Sequence, residues 1–196
     1  MYVLGLAGSP RRGGNSETLL DQALAGAASQ GAQTEKIVLS ELTMRPCQHC
    51  GGCARTGICI VGDEMQIVYE KLRQADYLIL ASPLFFLGVT AQTKAAIDRC
   101  QALWVARYVL KHRQTRGPAG RRRRALFISV GGQHRPNMFE GALATVRAFF
   151  ATCDFAFEGA LLYSGIEEKG DIRKHPTALR EAFEAGARLV QARDDG

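Results

Sequence analysis

The chain has 196 residues, of which 46% are hydrophobic and 22% charged, a balance that suits one globular domain with a sizeable core and excludes a disordered or fibrous chain. Its formal charge of +6 favours anionic partners, among them nucleotides and acidic redox proteins. With no uninterrupted apolar segment long enough for a bilayer and no signal-like stretch before the first strand, a cytoplasmic protein without a membrane partner is expected, its six cysteines free, metal-bound or redox-active rather than paired in disulfides.

Tyr2-Val3-Leu4-Gly5-Leu6-Ala7 reads as a buried parallel strand. Gly8-Ser9-Pro10 stops it, a basic glycine-rich loop follows, and Asn15 or Ser16 can cap a helix from Ser16 to Ser29. A strand, a glycine loop and a helix N-terminus together make an anion site, because unpaired amides and the positive end of the helix dipole face one place. Ser9, Asn15, Ser16 and Thr18 add side-chain donors there, and Arg11 and Arg12 add charge. No lysine enters the helix as a P-loop requires, and Gly5-x-x-Gly8 is not the G-x-G-x-x-G dinucleotide fingerprint. A terminal monophosphate, held without magnesium, remains. The run Gly8-Ser9-Pro10-Arg11 with Asn15-Ser16 resembles the G-S-P-R-x-x-x-N-[ST] opening of the NAD(P)H-dependent FMN reductases, a flavodoxin-like superfamily. That resemblance implies that these residues bind an FMN phosphate.

Glu35 to Leu39 reads as a second strand. The irregular excursion from 44 to 62 then carries Cys47, Cys50, Cys53 and Cys59 in the spacing C-x2-C-x2-C-x5-C. Thiols this close can wrap one small inorganic centre; structural zinc and free or redox-active thiols are the other readings. The spacing resembles the compact C-x2-C-x2-C-x(4–7)-C motif of the iron–sulfur flavoproteins in the same superfamily. By that resemblance the four residues would hold a [4Fe-4S] cluster near FMN, with a ferredoxin-like donor. Asp63-Glu64-Met65 opens the next helix with acidic residues where its dipole favours them.

Asp76 to Ala81 is a third strand, and Ser82-Pro83-Leu84-Phe85-Phe86-Leu87-Gly88 follows it with a proline and aromatics that can flank a flat ring. Ser82 to Lys94 resembles a stretch of the same family, which implies that Pro83, Leu84, Phe85, Phe86 and Gly88 seat the flavin ring. One helix is expected from Ala91 to about Lys111, its Trp104 and Tyr108 forming either a dimer face or internal packing. The basic loop from 112 to 124, ending in Arg121-Arg122-Arg123-Arg124, reads as solvated; attraction of an NADPH 2′-phosphate or an acidic partner is the sharper alternative. Nucleic acid is not an expected partner, since no aromatics are interleaved there.

Ala125 to Val130 is a fourth strand, and Gly131-Gly132-Gln133 after it lets the backbone approach a ligand closely. In the family this loop lies beside the flavin's pyrimidine end, and His134 next to it is a candidate donor. A helix from Asn137 to Thr152, a strand from Phe155 to Tyr163 and a helix from Thr177 to Ala192 complete the chain, with Cys100 and Cys153 as core fillers.

Strands alternating with helices predict a single α/β domain over 1–196, built on a doubly wound five-stranded parallel sheet with helices on both faces. In such a sheet the ligand sits beyond the carboxyl ends of the strands, where the strand order switches. The resemblance makes the fold flavodoxin-like and the protein an FMN-dependent oxidoreductase. Its electrons would come from NAD(P)H or a reduced ferredoxin-like donor and pass to a small-molecule or redox-protein acceptor, in a homodimer or tetramer. A flavin carries such chemistry itself, so no catalytic side chain is expected. The alternative is a non-catalytic flavoprotein that carries electrons between protein partners.

Overall fold

The computed structural model describes residues 1–191. Five strands, β1 (Tyr2–Ala7), β2 (Gln33–Val38), β3 (Tyr77–Ala81), β4 (Arg124–Gly131) and β5 (Ala156–Ser164), form one sheet in the order β2-β1-β3-β4-β5, every pairing parallel. Parallel neighbours need crossovers, and these are supplied by α1 (Asn15–Ser29), α2 (Met65–Gln74), α3 (Ala91–Arg99), α4 (Gln101–Trp104) and α5 (Glu140–Thr152), with α6 (Ala178–Gln191) closing the chain. The expected doubly wound, flavodoxin-like sheet is the one observed.

Strand alternation sends β1 side chains to two cores. Val3 and Ala7 pack with Leu19, Leu20 and Ala23 of α1 and Ala182 and Leu189 of α6. Leu4 and Leu6 face the other side, against Met65 and Leu72 of α2 and Val146 and Phe150 of α5. Across the first layer α1 and α6 meet backbone to backbone. A Cβ on Gly26 would collide with the Phe183 carbonyl, and one on Gly186 with the Ala23 carbonyl.

Two features depart from the sequence reading. The helix expected from Ala91 to Lys111 breaks at Cys100, where the Arg99 carbonyl accepts the Tyr69 hydroxyl (2.6 Å). Beyond α4 it continues as a π-helical turn over Val105–Val109, with Leu110 N–H donating to the Val105 carbonyl. The basic run is not wholly solvated. Arg124 opens β4, and the buried Arg123 donates to the carbonyls of Leu72, Ala75, Gln114 and Cys153 over the Phe155 ring. Burial pulls the Arg123 pKa down to about 10. Trp104 and Tyr108, left open between two roles, are partly exposed side by side with ring centroids 5.6 Å apart. Cys100 and Cys153 are buried as expected, while Ala192, the expected end of the last helix, lies outside the described residues. Among the described residues no helix is long and apolar enough to cross a membrane.

The α1–α6 contact yields a test of unusual sign. Glycine to alanine inside a helix ordinarily stabilises by about 1 kcal/mol, but Gly26→Ala has rigid backbone against its new methyl group. We expect a net loss of about 1–3 kcal/mol from overpacking, read as a lower urea midpoint; an unchanged or higher midpoint would refute the close approach.

Candidate functional site

Gly8 follows the carboxyl end of β1 and stays bonded to the end of β3. Its N–H donates to the Ala81 carbonyl (2.7 Å) and its carbonyl accepts the Thr90 hydroxyl (2.5 Å), so this residue joins the ends of both strands to the start of α3. A Cβ here would collide with Thr93 Oγ1. The following loop folds on itself, with the Arg11 amide donating to the Ser9 hydroxyl (3.1 Å). It ends at Gly14, the N-cap of α1, which supplies no side-chain cap. Neither Asn15 nor Ser16 is the cap, as the sequence suggested; both lie inside the first turn. The first amides of the helix thus keep their demand for an acceptor.

The neighbouring side chains divide into structural and available ones. The buried Glu17 accepts from the Gly13 amide (2.7 Å), Arg12 (2.9 Å) and Lys36 (2.8 Å). Arg12 also pairs with Glu41 (2.9 Å), so its charge is spent within the protein. The Asn15 side chain points across to the loop after β5: its Nδ2 donates to the Glu168 carbonyl (2.8 Å) and its Oδ1 accepts from the Gly170 (2.9 Å) and Ile172 (3.4 Å) amides. That tether brings Lys169 beside Gly13. Among the described residues neither Arg11 nor Lys169 has a carboxylate partner.

The loop after β3 forms the opposite wall. Phe85 and Gly88 exchange backbone hydrogen bonds of 3.0 Å, closing a two-residue turn whose Phe86 and Leu87 stand at φ of 50° and 62°. Such angles suit Asn-Gly and strain bulky residues. The turn holds Phe86 fully out in solvent. From β4, the Val130 carbonyl accepts the Leu84 amide (2.8 Å), and Gly131 receives the Ile166 amide (3.0 Å). A Cβ on Gly132 would run into the Glu167 carboxylate.

Together these loops enclose a cleft of about 100 Å³. Of the residues named from the sequence it gathers Ser9, Arg11, Asn15, Ser16, Pro83, Leu84, Phe85, Gly131 and Gly132. Thr18 is buried within α1, Phe86 and Gly88 form the outer turn, and Gln133 is exposed; none of these lines the cleft. His134 lies within 3.2 Å of the Ser164 hydroxyl instead. Ile166, Glu167 and Lys169 line it without having been foreseen. Their loop has no glycine-rich or aromatic signature, and its approach depends on the side chain of Asn15, 153 residues away from its partner Glu168.

The cysteine excursion forms a second cavity, of about 400 Å³, walled by Cys47, Cys50, Cys53 and Cys59 together with Arg99 of α3. Among the described residues no three His, Cys, Asp or Glu side chains are arranged to hold a metal ion. All four cysteines nonetheless line this one cavity, and the Nε of Arg99, another lining residue, is buried without a hydrogen-bond partner. A soft, sulfur-rich donor set and an orphaned donor fit a thiolate-bound inorganic centre. The cysteines differ in environment. Burial opposes the Cys59 thiolate, but the Val61 amide, Arg99 and Tyr69 together pull its pKa below the ordinary thiol value. Burial and the other three sulfurs push Cys53 up.

The family model for NADPH-dependent FMN reductases matches residues 1–153. An iron–sulfur flavoprotein from Methanosarcina thermophila is 36% identical over 113 residues, which cover 58% of this chain and 59% of that protein. One from Methanocaldococcus jannaschii is 33% identical over 151 residues, 76% of this chain and 71% of the relative. Against two further iron–sulfur flavoproteins the match spans only 53% and 45% of the relative's length. The solved NAD(P)H:quinone oxidoreductase from Methanothermobacter marburgensis superposes with a TM-score of 0.68 at 20% identity, over 96% of this chain and 98% of the other, a likeness of fold.

Glu17 makes the phosphate-type loop sensitive to acid. Burial opposes its charge, but Lys36, the Gly13 amide and Arg12 outweigh it and hold its pKa below the ordinary carboxylate value. Its stabilisation is therefore complete above the unfolded value of about 4.3 and is lost as pH falls through the lower folded value. Wild type should lose more unfolding free energy than Glu17→Gln between about pH 6 and about pH 3, measured from urea midpoints; parallel losses would show that the three contacts do not act on this carboxylate.

Proposed function

The chain belongs to the NADPH-dependent FMN reductase family, and on that premise we propose that it carries electrons from a nicotinamide nucleotide through bound FMN to a small-molecule or redox-protein acceptor. The observation that carries this reading is the uncapped start of α1 opening onto a cleft with Arg11 and Lys169 at its wall. Amides at a helix start, with the dipole behind them, suit a terminal phosphate dianion. The Ser16 hydroxyl, which has no protein partner among the described residues, adds a donor, and Arg11 and Lys169 add charge. Pro83, Leu84 and Phe85 on one side and Gly131 and Gly132 on the other would flank the ring. A cleft of about 100 Å³ is smaller than the roughly 300–1,000 Å³ of whole small-molecule sites, so the ring would reach beyond its mouth. Bound FMN supplies the hydride and electron chemistry; the chain's part is to hold the phosphate and flank the ring.

A second reading is favoured by the cavity shared by Cys47, Cys50, Cys53 and Cys59. There the four thiolates would hold an iron–sulfur cluster, as in the curated relatives' names. The donor set would also accept zinc. A carrier without enzymatic activity is the remaining alternative.

Two measurements test the main reading. FMN-loaded protein mixed anaerobically with NADPH or NADH should lose its oxidised flavin absorbance directly; no bleaching with either nucleotide would leave only the carrier. Lys169→Gln should weaken FMN binding about tenfold, the loss of one charge-assisted contact, while leaving riboflavin, which lacks the phosphate, unaffected. Fluorescence quenching reads both, and an equal loss for the two flavins would move Lys169 away from the phosphate.

A further inference from the structure

Arg99 ends α3 with its side chain only 1% exposed, directly behind the cysteine excursion. One guanidinium nitrogen donates to the Arg45 carbonyl (2.9 Å) and to Asp63 (2.6 Å). The other reaches Asp63 (3.1 Å), the Val61 carbonyl (3.4 Å) and the Cys59 sulfur (3.4 Å). Residue 45 precedes the first cysteine and residues 59 to 63 include and follow the last, so a single side chain ties both ends of the excursion together. Among the described residues its Nε is the one guanidinium donor buried without a partner.

Clamping alone does not require this arrangement. Asp63 already accepts from the Arg45 amide (3.0 Å) and the Met65 amide (3.2 Å), which join the two ends without the guanidinium. Burying an arginine is costly unless it is paired and hydrogen-bonded. Asp63 pairs with that guanidinium directly, at 2.6 and 3.1 Å, but of the two only Arg99 touches sulfur. Of the four cysteines, Cys59 alone receives it. A positive donor on one sulfur ligand stabilises the more negative, reduced state of a cluster, since net charge and hydrogen bonds to sulfur set such potentials.

We propose that Arg99 is a positioning residue for the cysteine site, which holds its charge against the Cys59 sulfur and thereby raises the reduction potential of the cluster bound there. The proposal rests on the cluster reading above. It assigns the same guanidinium two consequences: Cys59 is presented in place, and the centre is easier to reduce than it would be among unassisted thiolates.

The test uses full-length protein, reconstituted anaerobically with iron, sulfide and FMN. Iron and sulfide are assayed first, and the cluster is then followed by electron paramagnetic resonance during a potentiometric titration of wild type, Arg99→Lys and Arg99→Gln. Arg99→Lys keeps the charge and should keep the iron and a midpoint close to wild type. Arg99→Gln should show a reduced-to-oxidised ratio about tenfold lower at a fixed potential, a midpoint shift of about 59 mV downward for a one-electron couple; iron loss confined to this variant also supports the role of charge. Equal midpoints in wild type and Arg99→Gln, or iron loss in Arg99→Lys as well, would overturn the proposal. Wild type that binds flavin but no iron or sulfide would instead refute the cluster reading itself.

Discussion

The backbone of Gly8 is hydrogen-bonded at both its N–H and its carbonyl, to Ala81 at the end of β3 and to Thr90 at the start of α3. Everything around the cleft follows from that double anchorage. Strand order β2-β1-β3 sends the crossovers from β1 and β3 to opposite faces of the sheet, which opens a crevice between their carboxyl ends. With Gly8 committed to the neighbouring strand and helix, the next residues must turn, and the turn delivers the chain to α1 through Gly14. A glycine N-cap brings no oxygen of its own. The amides behind it are therefore available to a ligand, where a serine or asparagine cap would have quenched them.

Polar residues near such a site serve two ends, and only packing separates them. Glu17 places a negative charge close to a proposed anion site, which looks adverse until its three donors are counted. It neutralises Arg12 and Lys36 and holds the Gly13 amide, so the loop is rigid before any ligand arrives. Asn15 matches the family's opening pattern, yet its side chain reaches the loop after β5. By doing so it recruits Lys169 and Glu167 from a part of the chain with no recognisable motif. Pre-organisation of this kind lowers the ordering cost of binding.

Helix α3 connects the two candidate sites. Its first turn holds Gly8 through Thr90 and Thr93, and its last residue, Arg99, backs the cysteine cavity. At about 1.5 Å per residue, Thr93 and Arg99 are on the order of 9 Å apart along the axis. A short rigid element thus sets the spacing between the flavin-type cleft and the sulfur-lined cavity. The helix breaks immediately afterwards at Cys100, and the π-turn that follows lets Ala106 pack tightly against Gly57 of the excursion.

Read alone, the chain already specified its five strands and the doubly wound sheet, and it pointed to an anion site at the opening of the first helix. Those signals are local: apolar runs of strand length, glycine and proline breaks, and helical spacing need no distant partner. The cysteine spacing was equally plain, because ligand chemistry is written in residue type and interval. Tertiary structure alone decided the assignments that depend on which distant group a polar side chain meets. Arg123 is a buried donor to four carbonyls rather than part of a solvated run, and Arg12 serves Glu17 rather than the cleft. Lys169 enters the site and Arg99 reaches Cys59 through contacts across long stretches of chain. Hydrogen bonds and ion pairs act over a few ångströms, and sequence separation says nothing about which groups folding will bring that close.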